Sequence, residues 1–130
     1  MSRFLTAAVI MGALALSAVA QDWYHERDER FRGEQWRSHL FTEVKADVDH
    51  VWAGRAADRE RDRLNKTEEE LTKMQADLDH GRWDNGMLND VIDSLSKSSN
   101  DQRLPPRDRS VLADDVSRLK DFQAQHNHGH

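Results

Sequence analysis

Aspartate and histidine are the residues whose spacing in this chain can do chemistry. Asp47 with His50, and thirty positions later Asp77 with His80, each set a carboxylate and an imidazole one helical turn apart. Such a pair can pass a proton or offer two ligands to a metal. Both pairs close a repeat: residues 41–50 read FTEVKADVDH and residues 71–80 read LTKMQADLDH. At the C-terminus His126, His128 and His130 alternate with other residues, and neutral imidazoles there suit Zn²⁺, Cu²⁺ or Ni²⁺. Thiol nucleophiles are excluded because the chain has no cysteine. No Gly-rich loop of the phosphate-cradling kind is present either.

The Asp-x-x-His spacing resembles the Glu-x-x-His pairs of di-iron helical bundles, which implies a metal shared between helices. The elements that would position the two pairs argue against it. Helices joined by a short turn run antiparallel, so the C-terminal ends of the first two core helices fall at opposite ends, about 30 Å apart at 1.5 Å per residue. His50 and His80 each follow a core position, Val48 and Leu78, by two residues, or about 200° of helical rotation. Both are therefore expected to face water. A flexible tail over 126–130 loses entropy on binding and brings no obvious fourth ligand. The sequence reading accordingly assigns no catalytic residue, metal site or cofactor, and expects no enzyme.

The clearest element is the stretch Leu64 to Leu95. Leu64, Leu71 and Leu78 recur every seven residues, with Thr67 and Met74 between them, so one narrow seam runs down a charged helix. Gly81 ends that helix in the left-handed region. Asp84 caps the next, which carries Met87, Leu88, Val91, Ile92 and Leu95 at helical spacing. Ahead of this hairpin, Trp36, Leu40, Phe41, Val44, Val48, Val51 and Trp52 form the most apolar stripe. Gly54 and Asp58 suggest a turn and a cap, although one continuous rod stays open because no proline intervenes and glycine costs only about 1 kcal/mol in a helix. A capping box, Thr67 to Glu70, allows a later start for the second helix. After the polar run at 96–102 and Pro105-Pro106, the stripe Val111, Leu112, Val116, Leu119 and Phe122 gives a last helix. The expected fold class is all-α, a small four-helix antiparallel bundle of two hairpins, with helices at 34–53, 58–80, 85–97 and 106–125. Trp83 and Leu104, each following an arginine ahead of a helix start, are expected side by side between helices.

Met1 to Ala20 reads as an export signal. Arg3 is followed by an apolar run from Phe4 to Leu16, and Ala18 and Ala20 suit a signal peptidase that cuts before Gln21. The expected product is periplasmic or extracellular, with no membrane association after cleavage. Residues 21–33 are expected to form a partly ordered arm, since no apolar stripe holds across them. Residues 34–125 form the helical domain. The formal charge of −5, more negative still once Arg3 is removed, argues against a nucleic-acid partner. With no disulfides available, helix packing must supply the stability.

Leu71-Thr72-Lys73-Met74-Gln75 resembles the LTxxQ motif of small periplasmic stress chaperones, and Phe41-Thr42-Glu43-Val44-Lys45 stands where a second copy would be. The resemblance implies a stress-related or chaperone-like role. The turn after Asp79 lacks calcium ligands, with Ala76 and Leu78 at the first two carboxylate positions of an EF-hand loop and Met87 in place of its bidentate glutamate. Asp114 and Asp115 are expected on a solvated helix face. The function expected is protein interaction or self-association in an envelope setting, through an apolar groove lined by Trp36, Phe41 and Trp52; metal binding by the C-terminal histidines is the alternative.

Overall fold

The computed structural model describes residues 22–53, 55 and 58–128. The leader expected over 1–20, and His130, lie outside the described residues. All regular structure among the described residues is helical. The chain divides into two compact units between Trp36 and Arg37.

In the first unit residues 22–30 form a helix, α1, where the sequence shows no apolar stripe. The physical reason is Arg27. It stands between Trp23 and Phe31 on one helical face, and its guanidinium lies 4.4 Å over the Phe31 ring, so a buried arginine fills a position that a hydrophobic pattern would read as polar. Gly33 turns the chain at φ +68, and its carbonyl accepts from the Trp36 indole N–H at 2.9 Å. The Phe31 and Trp36 rings sit 5.7 Å apart.

The second unit opens on a 3-10 turn, Gln35–His39, that begins just ahead of the boundary and leads into α2, Leu40–Trp52. It continues with α3, Asp58–Asp79, α4, Asn85–Ser99, and α5, Pro106–His128. The rod is thereby excluded, since α2 and α3 are separate. Their antiparallel course shows in a bond from the Thr42 N–H, in the first turn of α2, to Gln75 near the end of α3. Thr67 and Ser94 join α3 to α4 in mid-helix, and Gln123, near the end of α5, bonds Asn85 and Asn89 at the start of α4, so those two helices are opposed as well. Each of α2 and α4 packs against both α3 and α5.

The apolar stripes meet in the interior. Leu40, Phe41, Val44, Val48 and Val51 of α2 are buried with Leu64, Leu71 and Met74 of α3, Leu88, Val91 and Leu95 of α4, and Leu112, Leu119 and Phe122 of α5. Gly81 ends α3 at φ +73, with its N–H on the Leu78 carbonyl and the Arg82 N–H on that of Asp77, the two bonds of a Schellman motif. Asp84 caps α4 through the Met87 N–H at 3.0 Å. Thr67 starts no helix; it is buried in mid-α3 with its hydroxyl donating to the Arg63 carbonyl, so the Ser94 hydroxyl supplies the proton between the two. α5 runs three residues past its expected end, to His128.

Candidate functional site

The two Asp-x-x-His pairs fall at opposite ends of the second unit and in unlike surroundings. His80 is exposed at the end of α3, where its Nδ1 donates to the Ala76 carbonyl at 2.8 Å. His50 is half-buried, not turned to water as its register predicts. The start of α5 and the turn after α2 explain the difference. The Arg55 guanidinium there donates to buried Asp108 at 2.7 Å, and together with Asp47 these groups form the charged surroundings of His50. Burial pushes the His50 imidazole below its ordinary pKa; Asp108 and Asp47 oppose that shift and Arg55 adds to it.

Asp115 is a second correction. The sequence assigns it to a solvated face, yet it is fully buried, while Asp114 beside it is part-exposed and takes Arg118 at 2.8 Å. Its position accounts for this, because 108, 112, 115, 119 and 122 follow the three- and four-residue steps of one helical face. A pattern drawn only through hydrophobic residues passes over the two aspartates in it.

The C-terminal histidines are altered by the length of α5. His126 and His128 share one helix, where a two-residue step turns about 200°. The His126 ring stacks on Phe122 at 3.8 Å and meets Trp83 edge-on at 5.6 Å, with Nδ1 donating to the Phe122 carbonyl. Trp83 therefore belongs with the end of α5 and Leu104 with the turn ahead of its start, at opposite ends and not side by side. Among the described residues no three His, Cys, Asp or Glu side chains converge as a metal would require.

The three side chains expected to line an apolar groove are each covered. Trp36, Phe41 and Trp52 are 8 %, 0 % and 6 % exposed. Nor does the LTxxQ glutamine face outward. Gln75 is buried, its Nε2 donating to the Ser38 carbonyl at 2.8 Å and to Asp79 at 2.9 Å, and its Oε1 accepting from the Thr42 N–H at 3.1 Å. His39 supplies no side-chain cap to α2, so Gln75 caps that helix from across the interface with α3. The neighbouring Thr72 hydroxyl only bonds back to Glu68 of its own helix.

The arrangement best placed to bind something is an open cleft of about 460 Å³ lined by Glu60, Arg63, Lys97, Asp101 and Arg103. It lies where α3 begins and α4 ends. Asp101 closes the end of α4 by accepting from the backbone N–H and the guanidinium of Arg103, at 2.9 and 2.6 Å. Arg103 also pairs with Glu60. These bonds hold the Asp101 carboxyl at about 2, well under the ordinary carboxylate value, and push Arg103 up. Both carboxylates on the lining thus serve one guanidinium, and Arg63 and Lys97 stand exposed beside them. The only sequence signal for this cleft was Arg103 two residues after Asp101; its pairing with Glu60 joins positions 43 apart and had none. Compared with models of protein families, with curated proteins and with solved structures, the chain matches none.

Proposed function

We propose that this is an exported, non-catalytic helical protein that works by recognising a protein partner, or a second copy of itself, through the charged cleft. In this reading residues 1–20 are removed before Gln21, and the mature chain is a four-helix antiparallel bundle of two hairpins, at work in the periplasm or outside the cell. The observation that supports it is the disposition of apolar surface. Trp52 and Phe41, the largest hydrophobic groups of α2, are turned inward, so recognition falls to charge. Partners with acidic groups suit Arg63 and Lys97, and the acidic balance of the whole chain disfavours nucleic acid. No helix among the described residues is long and apolar enough to cross a membrane.

Cell fractionation with N-terminal sequencing tests the export reading: the mature chain should begin at Gln21, and an unprocessed cytoplasmic chain would sink it. For the interaction, the mature protein is cross-linked in its own compartment at low and high salt. Recovery should fall at high salt, and also in the double variant Arg63→Glu, Lys97→Glu, because exposed charges more than about 8 Å apart are largely screened at 0.15 M. Recovery indifferent to both changes would remove the cleft from the interaction.

A further inference from the structure

Of the asparagines in the chain, Asn85 alone is followed by glycine. That order matters chemically. The backbone nitrogen after an asparagine can attack the side-chain carbonyl carbon, and a glycine there puts no Cβ in the way and lets the backbone turn toward it. A helix resists the attack by fixing the backbone and bonding its N–H groups. Asn85-Gly86 stands where that protection is weakest. Both residues are exposed and begin α4, so the Gly86 N–H is among the first-turn groups that find no carbonyl within the helix. The turn is held by Asp84, whose side chain takes the Met87 N–H at 3.0 Å and whose carbonyl takes that of Leu88, and by Gln123 of α5, which donates to Asn85 Oδ1 at 2.8 Å. Both side-chain bonds are exposed to water, where each is worth little, and helix ends fastened in this way fray. Asn100 supplies the contrast. It is exposed too, but it closes α4, donates its Nδ2 to the Ser96 carbonyl at 3.0 Å, and is followed by Asp101.

We infer that Asn85 is a site of spontaneous deamidation, gated by fraying of the first turn of α4. When that turn opens, the Gly86 nitrogen gives up its proton and bonds to the side-chain carbonyl carbon of Asn85. The side-chain nitrogen takes a proton and leaves as ammonia, which closes a succinimide ring. Water then opens the ring at either carbonyl. Breaking the new bond gives aspartate; breaking the original peptide bond gives isoaspartate, in which the backbone runs through the side-chain carbon. Aspartate suits the place, since a carboxylate in the first turn is favoured by the helix dipole and its oxygen still accepts from Gln123. Isoaspartate adds a methylene to the backbone one residue after the cap, which displaces the Met87 and Leu88 N–H groups from Asp84. One product keeps the start of α4 fastened and the other loosens it. The site lies at the far end of α4 from the charged cleft, and it stands or falls apart from the reading of that cleft.

The experiment incubates the purified protein beside a peptide of residues 82–90 in mildly alkaline buffer and follows both by peptide mapping and mass spectrometry. The peptide has no helix to open, so it sets the unprotected rate. In the folded chain Asn85 should show the mass gain of an amide exchanged for an acid, more slowly than in the peptide, while Asn89 and Asn100 stay unchanged. Electron-transfer fragmentation should find isoaspartate as well as aspartate at that position. Asp84→Ala removes the exposed cap and should speed the conversion about fivefold with the circular dichroism spectrum unchanged, the worth of one cap. Gly86→Ala, whose Cβ shields the attacking nitrogen and stands 3.3 Å from Asp84 Oδ1, should bring Asn85 down to the level of Asn100. Asn85 intact in the protein when the peptide is fully converted, Asn100 converting as fast, a rate equal to that of the peptide, or indifference to Asp84→Ala would overturn the assignment.

Discussion

Replacing Gln75 by alanine tests how the second unit is fastened. The wild-type side chain makes three bonds, to the Ser38 carbonyl, the Thr42 N–H and Asp79, and two of them reach across to the start of α2. In Gln75→Ala the Thr42 N–H loses its cap and the Ser38 carbonyl loses the bond from Gln75. A net worth of about 1 kcal/mol per bond, with about 1–3 kcal/mol for a group left stranded, sets the expected loss at about 2–4 kcal/mol. For a domain of this size, with about 4–8 °C per kcal/mol, that is a fall in Tm of about 8–32 °C. Thr72→Ala is the control within the same motif. Its exposed hydroxyl serves only its own helix, and its removal should change stability by no more than about 0.5 kcal/mol. Urea unfolding of both variants, followed by far-ultraviolet circular dichroism, gives the comparison. If Gln75→Ala matches Thr72→Ala within error, the cap across the α2–α3 interface is refuted, and the motif needs a reason outside the fold.

Other outcomes follow from the charged groups and the turns. The Asp101 carboxyl should titrate at about 2 by carbon-detected NMR, and Arg103→Gln should return it toward 3.8. Because its folded value is depressed, Asp101 contributes stability above pH 3.8 that is lost as pH falls toward about 2. His50 should titrate below 6.5, and Asp108→Asn should move it further down, since Asp108 acts to raise it. A lowered imidazole contributes stability above 6.5 that is lost as pH falls through the folded value, so Asp108→Asn should steepen the loss on mild acidification. Gly81→Ala puts a Cβ into open space but on a residue at φ +73, so calorimetry should show a loss of about 1–2 kcal/mol from backbone strain alone. Leu71→Ala, at a site with no exposure, should cost about 2–5 kcal/mol in the same measurement.

What the sequence made legible was periodic. The apolar stripes of α2 to α5 are buried as their spacing requires except at Leu78 and Met87, which stay half-buried, and Gly81, Asp84 and Pro106 mark ends that backbone chemistry dictates locally. Polar residues that work across helices were not legible. Gln75 caps a helix 33 positions away, and Arg55 reaches Asp108 over 53. Asp47, Asp108 and Asp115 occupy core registers that a pattern of hydrophobic residues passes over, and Asp108 is met there by an arginine from the turn after α2. α1 was missed for the related reason that Arg27 holds an inward position through stacking. The groove expected at Trp36, Phe41 and Trp52 supposed one face of α2 left uncovered, whereas α2 is packed by both α3 and α5.

α2 and α5 close against one another around Phe41 and Phe122, whose rings lie 5.2 Å apart. Nuclear Overhauser spectroscopy of the mature chain with selectively labelled phenylalanine, tryptophan and histidine measures that contact directly. The prediction is cross-peaks from Phe122 to Phe41, to Trp83 and to His126. Helical chemical shifts through α2 and α5 with no cross-peak between Phe41 and Phe122 would contradict it.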